Sequence, residues 1–209
     1  MSIPVKIAHT ALRNRYMYSC YQFAVGGTQY RDKVILENLA RHGTRSVLDL
    51  GCGPGPTLRV LPEHIDFAGV DLSEDYLKLA KSKRKSSQLI LGDVTTTEWH
   101  EDLATRKPSL ILAMGLFHHL NDRQLRQLVD NLESIMDRSS CLISVDPSIE
   151  KDSTPLARWF ANNDRGKFVR SGSDLSKFFD SSRFDKQLER KKRMFHIPLD
   201  TNELVIKLR

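Results

Sequence analysis

Short apolar runs alternate with amphipathic stretches along most of this chain. Residues 46–50, 65–71, 88–91, 109–114 and 141–145 are near-continuous apolar segments bounded by turn residues. Such runs suit strands of a parallel sheet, covered on both faces. Between them the period lengthens to that of a helix. Over 29–41, Val34, Ile35, Leu36, Leu39 and Ala40 form one apolar face, with Thr28 as cap and His42-Gly43 as stop. A second helix is expected over 74–82, capped by Ser73, with Leu77 and Ala80 inward. Asn121 should cap a third, to about 136, carrying Leu125, Leu128, Val129, Leu132 and Ile135 on one side. Repeated strand-then-helix units imply a parallel sheet with right-handed crossovers. Beyond Pro147 the pattern changes to short helices at 155–162 and 175–179. Two strands follow, 184–190 and 203–208, joined by a turn that holds Pro198. Residues 1–27 are aromatic-rich (Tyr16, Tyr18, Tyr21, Phe23) and end in Gly26-Gly27. They read as a helix packed on the sheet, or as a lid hinged at the glycines. We expect a single domain over 1–209, with 1–27 as cofactor and substrate lid and 28–209 as core.

The first strand breaks into a turn with Gly51, Gly53 and Gly55. Glycine tolerates positive φ and lets a ligand lie against the backbone. Ligands of open α/β sheets sit beyond the carboxyl ends of the strands. A dinucleotide turn is Gly-x-Gly-x-x-Gly, whereas here the third glycine comes one residue early. Asp49 precedes the turn. Its carboxylate would repel a pyrophosphate and attract an ammonium, so the expected ligand is cationic at this end. Asp71 closes the second strand, placed to bind ribose hydroxyls. A nicotinamide dehydrogenase is disfavoured on both counts.

VLDLGCGPG (47–55), AGVDLS (68–73), GDV (92–94) and LILAMGLFHHL (110–120) stand in order. Together they resemble the motifs of class I S-adenosylmethionine-dependent methyltransferases, over roughly 46–147. The segment DRGKFVR (164–170) also resembles a bacterial subgroup of that family with no secure shared substrate. The resemblance implies an α/β, Rossmann-like, seven-stranded, mostly parallel sheet, with helices on both faces and a C-terminal antiparallel hairpin. It implies S-adenosylmethionine as cofactor, held by Asp49, Gly51, Cys52, Gly53, Gly55, Asp71, Leu72, Asp93, Val94, Met114 and Gly115. Asp93 would meet the adenine amino group, although it could instead cap the next segment.

Substrate should meet the methyl group at the fourth-strand exit. His118 and His119 are the candidate bases there, since histidine titrates near neutrality. Phe117 or Tyr21 could face the sulfonium through cation–π attraction. Arg165 and Arg170 could grip a substrate carboxylate or phosphate, or pair with Asp164. Cys52 reads as a small packing residue. The expected reaction is methylation of an oxygen or nitrogen of a small, possibly anionic, metabolite or sugar-like intermediate. An RNA methyltransferase and a non-catalytic cofactor-binding scaffold are the alternatives.

Bulk properties refine this picture. Lys and Arg number 32 against 26 Asp and Glu, for a net charge of +6. Basic runs at 81–85 and 190–193 admit an anionic partner such as RNA, but they lack interleaved aromatics and read as solvated faces. No Asn-Pro-Pro-Tyr segment or Pro-Cys dipeptide supports a nucleic-acid base as acceptor. No apolar run nears the ~20 residues of a membrane span. Cys20, Cys52 and Cys141 lack metal-ligand spacing, and no metal site is expected. Few cysteines and no secretion signal point to the cytoplasm.

Overall fold

The structure is a computed structural model that describes residues 27–103, 107–164, 166–179, 182–192 and 199–209. Tyr21, Arg165, Pro198 and the 1–26 segment lie outside the described residues, and with them the lid and its Gly26 hinge. Helix α1 (Gly27–His42) opens the described chain. Thr28 lies within this helix rather than capping it.

The apolar runs become strands β1 (Ser46–Leu50), β2 (Asp66–Asp71), β3 (Gln88–Leu91), β4 (Leu110–Met114) and β5 (Cys141–Pro147). Between them lie α2 (Glu74–Lys83), α3 (His100–Leu103) and α4 (Asp122–Ile135). After β5 come α5 (Pro155–Asn162), α6 (Gly172–Ser176), β6 (Phe184–Lys191) and β7 (Thr201–Leu208). The caps expected at Ser73 and Asn121 are formed. The Ser73 hydroxyl accepts from the Tyr76 N–H, and Asn121 forms a reciprocal capping box with Gln124.

All strands join one seven-stranded sheet in the order β3-β2-β1-β4-β5-β7-β6. The first five in this order pair in parallel, while β7 is antiparallel to both β5 and β6. Chain order reverses between β1 and β4, which creates the crevice at their carboxyl ends.

Strand residues alternate between two apolar layers. Leu48, Leu50, Val70, Ile111, Ala113 and Leu142 pack under α4, with Trp99 buried in the same layer. Val47, Phe67, Leu110, Leu112 and Ile143 pack against Val34 and Ile35 of α1 and Leu77 of α2. Helix α5 packs differently. It buries Ala157 and Ala161, while Trp159 stays 49% exposed.

Several described members of the basic runs have partners within the fold. Lys81 donates to the Ser87 carbonyl, and Arg84 to those of Leu61, Pro62 and Ile65. Arg190 pairs with Asp152 and Asp200, Lys191 with Glu189, and Lys192 with Asp152.

Candidate active site

The glycine turn leaves β1 with Gly51, Gly53 and Gly55 all at positive φ, 53° to 69°. Gly51 and Cys52 donate their N–H groups to the Val70 carbonyl at 2.8 and 3.0 Å, which fixes the turn against β2. Cys52 packs on Gly69, where a Cβ would lie 2.7 Å from its Sγ. Asp71 braces the turn from the end of β2. One carboxylate oxygen accepts from the Gly53 N–H and the other from the Ser73 N–H, each at 2.8 Å. Each oxygen keeps acceptor capacity for a ribose hydroxyl. Leu72 beside it is 72% exposed, an apolar side chain for a flat ring to cover. Asp93 uses one oxygen on the N–H and hydroxyl of Thr95. Val94 is buried in the core, so only its backbone is offered to a ligand. Met114 is partly buried against the α1 layer.

Asp49 lies beneath the turn, buried, accepting the Thr57 hydroxyl at 2.6 Å. Burial pushes its pKa up to about 6, against the pull of Thr57 and of the Arg31 charge. Arg31 is a residue that sequence reasoning missed. It projects from α1 beside Asp32, and burial lowers its pKa while Asp49 and Asp32 oppose this. Its Nε is buried with no partner among the described residues. A buried carboxyl with an under-satisfied guanidinium nearby fits the ammonium and carboxylate of an amino-acid moiety. Helical periodicity alone could not point to it.

At the β4 exit, Gly115 takes φ 68°. Its N–H donates to Val145 at 2.8 Å, and a 3-10 turn follows, Phe117–His119. This turn corrects one expectation. Phe117 is 1% exposed and packs 6.1 Å from Phe179, facing the core instead of the crevice. Leu116 faces the glycine turn in its place. A Cβ on Gly51 would lie 3.1 Å from Leu116 Cδ1.

His118 is buried between two carboxylates. Nδ1 lies 2.8 Å from Asp146 Oδ1, and Nε2 lies 3.0 Å from Asp164 Oδ1. Burial lowers its pKa, but the hydrogen bonds and charges of Asp146 and Asp164 prevail and raise it to about 9. At neutral pH both ring nitrogens donate, and the ring has no lone pair with which to take a proton. The geometry therefore makes His118 a structural cation and removes it as a general base. His119 is exposed, its ring centroid 4.2 Å from that of His118.

Arg170 is likewise engaged. It pairs with Asp122, not Asp164, and donates to the carbonyls of Phe117, Phe168 and Leu120 at 3.0, 3.1 and 2.7 Å. With the Phe168 N–H donating to the His118 carbonyl at 2.9 Å, residues 166–170 are clamped over the β4 exit. Arg170 holds that wall in place and has little left to offer a substrate anion.

The His118 pKa sets a stability window. It is raised above the unfolded value near 6.5, so its contribution is full below pH 6.5 and is lost as pH climbs through about 9. The whole effect is at most ~3 kcal/mol. Urea midpoints should fall from pH 6.5 to 9.5 in the wild type and stay flatter in His118→Asn. Parallel curves would remove the buried cation.

Residues 47–138 match the family described as methyltransferase domain. A Geobacillus sp. (strain WCH70) protein that bears the name methyltransferase is 37% identical over 111 residues, 52% of this chain and 44% of its own length. The demethylmenaquinone methyltransferase of Thermotoga maritima is 25% identical over 119 residues, 56% of this chain and 49% of its own. The chain thus spans about half the length of the curated relatives it matches. Among solved structures, plantazolicin methyltransferase BpumL, in complex with a pentazolic desmethyl analog and S-adenosylhomocysteine, superposes with a TM-score of 0.68 at 14% identity, covering 98% of this chain and 96% of that one. An S-adenosylmethionine-dependent methyltransferase of Archaeoglobus fulgidus gives 0.64 at 19% identity, covering 91% and 99%. These likenesses bear out the Rossmann-like fold. The family match itself spans residues 47–138, from β1 to just past the end of α4.

Proposed function

We propose that this protein transfers a methyl group from S-adenosylmethionine to an oxygen or nitrogen of a small molecule. The observation that carries the reading is the pair of carboxylates around the glycine turn: Asp49 buried below it, and Asp71 bonded to Gly53 across it. When bound there, the cofactor supplies an activated methyl group. The chain's part is to hold and align. Asp49 takes the ammonium and Arg31 the carboxylate. Asp71 takes the ribose, Leu72 covers the adenine, and Asp93 meets its amino group. Leu116 and Gly115 border the methyl, and acceptor enters beside the β4 exit, where Asp164 is partly exposed. His119 is the remaining histidine on that side.

Incubation with methyl-labelled cofactor and a fractionated cell extract tests this. Label should appear in the small-molecule fraction. Label in RNA, with steeply salt-dependent binding, would support an RNA methyltransferase instead, and cofactor binding without any transfer would support a scaffold.

Cofactor affinity should also depend on pH. Asp49 titrates at about 6, and only its charged form attracts an ammonium. Calorimetric affinity for S-adenosylhomocysteine should weaken about tenfold from pH 7 to pH 5. Asp49→Asn should bind weakly at both. Wild-type affinity that does not change with pH would take Asp49 out of ammonium binding.

A further inference from the structure

We infer that Asp164 binds the methyl acceptor, and that the acceptor presents a neutral or cationic N–H or O–H group to it. The inference rests on the methyl-transfer reading above and supplies the acceptor class that reading leaves open. Three observations converge on it.

The first is position. Leu116 faces Gly51, His118 follows two residues later, and Asp164 Oδ1 lies 3.0 Å from His118 Nε2. A chain of adjacent groups thus leads from the glycine turn to this carboxylate. Its side chain is 21% exposed, while those of His118 and Asp146 are 7% and 4% exposed. Within the triad, Asp164 alone opens toward solvent.

The second is anchoring. Asp164 Oδ1 accepts both His118 Nε2 and the Gly166 N–H, each at 3.0 Å. Asp146 holds the far side of the same ring through Nδ1. The carboxylate is thereby fixed in orientation, and among the described residues its bonds fall on one oxygen. Burial raises its pKa, but the His118 bond and charge outweigh this and leave it below the ordinary value. It remains ionised at neutral pH. An ionised carboxylate only accepts hydrogen bonds, so whatever meets Oδ2 must donate.

The third is charge. Among the described residues, the triad of two carboxylates around one imidazolium carries one net negative charge. Arg170, the nearest clamp residue, is spent on Asp122 and three carbonyls. Lys167 points outward and is exposed. An anionic acceptor would meet repulsion at Asp164, whereas an amine or hydroxyl would meet a pre-oriented acceptor oxygen. Asp164 is thus a binding residue, and His118 and Asp146 position it.

Small probes test this without knowledge of the natural acceptor. With S-adenosylhomocysteine saturating, methylammonium, acetate and inorganic phosphate are titrated in turn. Shifts of the Gly166 amide and His118 ring signals are followed by NMR. Methylammonium should give a saturable shift in the wild type, at least tenfold weaker in Asp164→Asn, and the two anions should give none. A response to acetate or phosphate but not to methylammonium overturns the proposal. So does silence to all three probes, or full methylammonium binding by Asp164→Asn. The comparison of probes in the wild type decides even if that variant fails to fold. Failure of S-adenosylhomocysteine itself to bind would instead sink the methyl-transfer reading.

Discussion

Replacing Gly166 with alanine should unseat the acceptor wall and destabilise the protein by several kcal/mol. A Cβ there would lie 1.8 Å from His118 Cδ2 and 2.6 Å from the His118 carbonyl oxygen. Neither atom is the end of a flexible chain. The ring is pinned by two carboxylates, and the carbonyl receives the Phe168 N–H. Overpacking of this kind costs about 1–3 kcal/mol. If Gly166 lifts away and takes Asp164 with it, His118 loses that partner, and breaking a buried ion pair costs about 3–5 kcal/mol. Against a typical stability of ~5–15 kcal/mol, either route is visible. The urea midpoint should drop and methyl transfer should be lost. Affinity for S-adenosylhomocysteine should stay within a few-fold, because the glycine turn is braced from β2. A wild-type midpoint would show that Gly166 does not rest on His118.

The second large effect is expected from Asp71→Ala. Both oxygens of this carboxylate hold backbone N–H groups, those of Gly53 and Ser73. Bonds to charged groups contribute about 1.5–3 kcal/mol each. The variant frees the Gly53 end of the turn and also removes the carboxylate proposed to bind the ribose. Affinity for S-adenosylhomocysteine should fall about 100-fold, near 3 kcal/mol, while the fold persists on its two apolar layers. Circular dichroism with a normal melting curve serves as the folding control. Unchanged calorimetric affinity would remove Asp71 from the cofactor site.

These two variants probe features of unequal legibility. The strands were readable because burial on both faces demands unbroken apolar runs, and such runs are local. Hence β1 and β3 begin and end where the pattern puts them, and β2 and β4 shift by one residue at one end. The glycine turn and the acid that ends β2 were also local features, since each lies at one strand and its exit. The partners of His118 were not. Asp146 is 28 residues away in sequence and Asp164 sits on a later loop, so only the folded sheet brings the three together. A histidine pair at a strand exit looked like a base because nothing local announced two carboxylates. Phe117 was misread because the 3-10 turn rotates it into the core and presents Leu116 outward. Arg170 was misread because carbonyl acceptors carry no sequence signature.

One further property comes from the placing of the chain's two tryptophans. Trp99 is sealed within the core at 2% exposure, whereas Trp159 stands half out of α5, in the helix that runs into Asp164. Their emission should separate under acrylamide quenching. The sheltered indole then gives a reading of global melting, and the accessible one a reading of events near the acceptor wall. Unlabelled protein thus contains its own pair of optical gauges, and Trp159→Phe would assign each.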